Sequence, residues 1–114
     1  MNREIVVEIQ GRNYICKYPT VGQMIDLSVR ESTLAKGTLR DLILQGTGEQ
    51  QDAYLFIKSV AFFEVMMPEL VSSLKVPLLD LDPFDFMEIN KVYWDKIDPW
   101  LTEWKQKLQN PLSE

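Results

Sequence analysis

Between Arg3 and Tyr18 the side chains alternate: Ile5, Val7 and Ile9 are set against Glu4, Val6 and Glu8, and Tyr14, Cys16 and Tyr18 against Ile15 and Lys17. Alternation of period two on either side of a glycine is the pattern of a half-buried β-hairpin, with Gly11 supplying the turn. With Gly11-Arg12 as a two-residue loop, glycine at the first central position predicts a type II′ turn. Two strands alone are marginal in water, so the hairpin must lie on helices or pair with another chain.

The rest of the chain reads as helical. Thr20 and Gln23 form a capping-box pair after Pro19, which predicts a helix from Thr20 to about Ala35 with Val21, Met24, Ile25, Ser28 and Leu34 roughly on one face and Gly37 ending it. A shorter helix is expected over Leu39–Leu44, closed at Gly46, with Gln45 to Glu49 as the clearest break. Gln50 to Met67 is apolar around most of its circumference, as a central helix should be, and Pro68 stops it. Asp82-Pro83 and Asp98-Pro99 each place an aspartate before a proline, the signature of an N-cap and first-turn proline. They predict a helix from Pro83 to about Lys96, then a kink or a new helix with Trp100, Leu101, Trp104 and Leu108 on one stripe, stopped at Asn110-Pro111. The predicted fold is α+β, mainly α: one domain over residues 1–114, with a hairpin at 3–18 and four to five helices in a helical part at 20–110.

Charge and composition exclude several functions. The net charge is −5, from 17 acidic and 12 basic residues, and no lysine or arginine stripe gathers, so nucleic acid is not an expected partner. Asp80, Asp82, Asp85, Glu88, Asp95 and Asp98 stand against Lys91 and Lys96, which reads first as a solvated face and second as an acidic surface for a basic partner. The longest apolar window, near Val60 to Met67, is interrupted by Glu64 and closed by Pro68, so no membrane span is expected. Met1 to Glu4 runs into the first strand without the apolar core of a signal peptide, and Cys16 has no cysteine to pair with, so the expected compartment is the cytoplasm.

There is no histidine, and nothing near the aspartate pairs Asp80/Asp82 and Asp95/Asp98 suggests a nucleophile or substrate clamp. Neither a metal nor a cofactor is expected: Asp-x-Asp before proline lacks the ligand spacing of an EF-hand, and Gly46-Thr47-Gly48 lacks the lysine of a phosphate loop. Cys16 reads as a packed small hydrophobe beside Tyr14 and Tyr18. The expected function is therefore protein binding. Phe62, Phe63, Met66 and Met67 read first as core packing, but four large residues within six cover every face of a helix, so some are expected at a contact, with a protein partner or a second copy of the chain. Trp100 and Trp104 are the other contact candidates, since tryptophan often dominates interface energy; they read equally well as core.

Taken with the hairpin, the Tyr18-Pro19-Thr20-Val21 entry, the Leu34-Ala35-Lys36-Gly37 stop, the Phe62 to Leu70 run ending in Met67-Pro68-Glu69-Leu70, and Asp98-Pro99-Trp100, the chain resembles the tail assembly chaperone group of tailed bacteriophages. The hairpin is a departure from the more purely helical members of that group. The resemblance implies a non-enzymatic protein acting in the infected host's cytoplasm, binding the tape measure protein or other tail components and preventing their premature aggregation. It transfers no catalytic residue. Alternatives from other classes are a small structural component of a tail or baseplate, and an acidic regulatory or inhibitory protein.

Overall fold

The computed structural model describes residues 3–37 and 48–109. The chain is α+β and mainly helical, with an N-terminal hairpin followed by helices. It divides into two compact units: residues 1–18 with 82–114, and residues 19–81. The helix expected over Leu39–Leu44 with its Gly46 stop, and the expected stop at Asn110-Pro111, lie outside the described residues.

In the first unit, β1 (Glu4–Ile9) and β2 (Arg12–Lys17) pair antiparallel, with Ile9 opposite Arg12, Val7 opposite Tyr14 and Ile5 opposite Cys16. Val7, Ile9, Tyr14 and Cys16 are buried while Glu4, Val6, Glu8, Ile15 and Lys17 are exposed, as the alternation requires. The turn differs from expectation. Gln10 and Gly11, not Gly11 and Arg12, are its central residues, and both have positive φ, 53° and 77°. That is the type I′ pattern. The two registers differ by a two-residue slip, which leaves every side chain on its face, so alternation cannot choose between them. Gln10 in left-handed backbone is costly, and one contact offsets this: its N–H donates to Glu88 Oε1 at 2.7 Å.

Glu88 belongs to α4 (Pro83–Val92), which lies against β1 and buries Phe86 and Ile89. Asp82 is its N-cap, accepting from the Asp85 N–H at 2.9 Å, with Pro83 in the first turn. Asp98 is not a cap, contrary to expectation. Its φ of −59° and ψ of −44° are helical, and it opens α5 (Asp98–Gln109) directly from a π-helical turn, Tyr93–Ile97. Proline has no N–H, and its ring would strike the carbonyl four residues back. The wider turn, closed by the Asp98 N–H donating to the Tyr93 carbonyl, absorbs this so that helix carries on through Pro99. It also buries Tyr93 and Ile97 just before the buried Trp100.

In the second unit, α1 (Val21–Leu34) starts at the predicted capping box, and Gly37 follows its end with φ 81°. The central helix α2 (Gly48–Met66) buries Ser59, Val60, Ala61, Phe62 and Phe63 consecutively. Five buried residues in a row go round the full circumference, which explains its all-round apolar sequence. Pro68 breaks it: Met67 leaves helical geometry at φ −133°, and α3 (Pro68–Ser73) begins with the proline in its first turn and Leu70 buried. A 3₁₀ turn, Leu78–Asp80, tucks in Leu78.

Candidate functional site

The six contact candidates from the sequence are mostly interior. Phe62 and Phe63 are 1% and 0% exposed, ring edge to ring face with centroids 5.9 Å apart. Met67 and Trp100 are also buried, Trp100 meeting Tyr18 edge-on at 5.8 Å. Met66 and Trp104 are half-buried. Trp104 has Tyr18 at 6.4 Å and two cations near its ring, Arg3 at 5.6 Å and Lys107 at 5.7 Å. Side chains so enclosed do not form an outward face, so Phe62, Phe63, Met67 and Trp100 follow the core reading of these residues. The reason is geometric: a helix apolar on all sides is one the fold surrounds.

The outward apolar face is on α1. Its start is held by a reciprocal pair, Thr20 Oγ1 accepting from the Gln23 N–H at 3.2 Å and Gln23 Oε1 accepting from the Thr20 N–H at 3.0 Å. One side of the helix meets α2 through charge: Arg30 donates to both carboxylate oxygens of Glu64 at 2.9 and 3.0 Å, and Lys58 donates to Glu31 at 3.1 Å. A bidentate guanidinium–carboxylate pair fixes the helix rotation as well as its position. With Arg30 and Glu31 turned inward, the opposite side points away from α2. Val21 is 77% exposed, Ile25 and Val29 59% each, and Met24 42%; no residue of α1 is buried. The face shared by Val21, Met24, Ile25 and Ser28 is therefore at the surface, and half-buried Leu27 and Leu34 lie on the inner side.

Scattered exposed hydrophobics are ordinary, but four along one helix face at helical spacing form a patch of the kind that marks interaction surfaces. The spacing was visible in the sequence; which way it faced was not. Two smaller features lie in the other unit: the exposed cross-strand pair Val6 and Ile15 on the hairpin, and Phe84 with Met87 on α4.

In the hairpin, the Cys16 thiol, 1% exposed, is pushed up to about 12 by burial, so it carries its proton at neutral pH. The sign follows from linkage. Above the ordinary value of 9.0 the unfolded chain releases the thiol proton while the folded chain keeps it, so stability falls as pH rises from 9.0 towards about 12. The slope from this group is at most about 1.4 kcal/mol per pH unit. Tyr18 is raised by desolvation and adds in the same direction. Urea midpoints at pH 7.5 and 10 should show the decline in the parent and a shallower one in Cys16→Ala.

Among the described residues, no group of three or more histidine, cysteine or acidic side chains could hold a metal ion, and no helix is long and apolar enough to cross a membrane. No family model matches the chain, nor does any curated protein or solved structure.

Proposed function

We propose that this protein is a non-enzymatic protein-binding factor of the phage tail assembly chaperone type, which acts in the host cytoplasm and holds apolar segments of a tape measure or other tail protein on the outer face of α1. The observation that carries the reading is the exposed stripe Val21, Met24, Ile25 and Val29, on a helix whose other side is locked by Arg30–Glu64 and Glu31–Lys58. Such a face suits a helix-in-groove or helix-on-helix partner, read at i, i+3, i+4 and i+8. A protonated, enclosed thiol and the lack of histidine favour binding over catalysis. The net charge of −5 disfavours nucleic acid as the partner.

The test is aggregation of a purified tape measure protein, followed by light scattering with and without an equimolar amount of this chain. Scattering should fall with the parent and return with Ile25→Asp, a variant that keeps the parent's circular dichroism because the site is exposed. Scattering unchanged by the parent, or suppressed equally by Ile25→Asp, would count against the reading. The exposed Val6–Ile15 pair favours a second reading, a structural tail component that stacks its hairpin on a neighbour. Mass spectrometry of purified particles separates the two, since a chaperone is absent from them and a component is present.

A further inference from the structure

The exposed face of α1 has a symmetry of its own. Its seam runs Val21, Ile25, Ser28, Ser32, with intervals of four, three and four residues, and Met24 and Val29 beside it. The spacing reads the same in both directions and alternates four and three residues, as the seam does between helices that pack side by side with shallow crossing. All six residues are exposed and uncharged. The charges of α1 lie elsewhere: Arg30 and Glu31 are tied to Glu64 and Lys58, and Asp26 is off the seam.

We propose that in the free protein this face is occupied by the same face of a second copy, the two α1 helices packing antiparallel about a two-fold axis between Asp26 and Leu27. In that arrangement Val21 falls opposite the partner's Ser32 and Ile25 opposite the partner's Ser28, with Met24 and Val29 on the two flanks of the seam, each on the same side as its own counterpart. Each position then meets its complement twice, as an isologous contact requires, and the branched side chains fill the space left by the serines. A parallel pair would set Val21 and Ile25 each against itself and Ser28 and Ser32 each against itself, crowding one end of the seam and leaving the other hollow. Charge argues the same way. For a chain at −5, an uncharged strip is where two copies meet without opposing like charges.

Size sets the strength. A 14-residue helix is about 21 Å long, too short for a standard interface, so dissociation is expected at roughly 10–100 µM. This inference rests on reading the α1 face as the binding surface and adds its regulation: copies shield each other's apolar stripe, and a client displaces the second copy.

The experiment is sedimentation of the full chain from 1 µM to several hundred µM. The parent's average mass should rise from one chain towards two. Ile25→Asp and Ser28→Arg should each weaken association about tenfold or more, with unchanged circular dichroism. Phe84→Ser, which removes an exposed aromatic at a different place, should leave it intact. A parent that stays at the mass of one chain throughout, or association that survives Ile25→Asp and Ser28→Arg, overturns the proposal. Its failure is distinct from failure of the binding reading: a strictly single-chain parent that still suppresses client aggregation through Ile25 refutes only the self-pairing, and a two-chain parent that suppresses none refutes only the chaperone role.

Discussion

Phe62→Ala should lower the unfolding free energy by about 3–5 kcal/mol, the range for emptying a buried aromatic site. The ring is 1% exposed and edge-packed on Phe63, itself 0% exposed, so little of the cavity can be filled by relaxation. Because domains are usually stable by only about 5–15 kcal/mol, the variant should sit near its threshold and melt well below the parent. Urea denaturation gives the number. Ile25→Asp, on the neighbouring helix but 59% exposed, is the control, and should change stability by only about 0.5 kcal/mol. A small loss for Phe62→Ala would mean that α2 is not enclosed, and would reopen the case for its phenylalanines as contact residues.

The second large effect separates the two tryptophans of α5. Trp100 is 7% exposed and meets Tyr18 edge-on, so Trp100→Ala should cost about 3–5 kcal/mol. Trp104 is half-buried, and its contacts are Tyr18 at 6.4 Å and the cations of Arg3 and Lys107. Exposed cation–π contacts are worth about 0.5–1 kcal/mol each, so Trp104→Ala should cost about 1–2 kcal/mol and leave the chain folded. Thermal melts of both variants, with near-ultraviolet circular dichroism to report packing, measure the difference. Equal losses would show that the two rings act as one block.

Local chemistry was legible where it depends on neighbours along the chain. The capping box at Thr20 and Gln23, the Asp82-Pro83 helix start, the break at Pro68 and the two faces of the hairpin all appear where residue types require them. Each rests on interactions within a few residues. The turn at Gln10-Gly11 differs from expectation because alternation does not separate registers two residues apart, and the Glu88 carboxylate that accepts from the Gln10 N–H is 78 residues away. Asp98-Pro99 was misread for a related reason. The dipeptide looks like Asp82-Pro83, but a π turn lets helix continue through it, and Tyr93 and Ile97, buried by that turn, go with it.

The candidate site was the hardest to read, because a helix's apolar stripe does not announce which side faces in. Periodicity puts Val21, Met24 and Ile25 on one face of α1 without saying which way it turns, and leaves Phe62, Phe63, Met66 and Met67 open between core and contact. The fold decides both. Arg30 and Glu31 find Glu64 and Lys58 across the interface with α2, and the stripe on the other side of α1 is left in solvent. The sequence by itself determined the hairpin, the helix starts at Thr20 and Asp82, the break at Pro68 and the lack of histidine, since propensity, proline geometry and composition act locally. Only the tertiary structure decided which apolar residues are buried, since burial depends on what lies opposite a side chain, and that is set by residues distant in the chain.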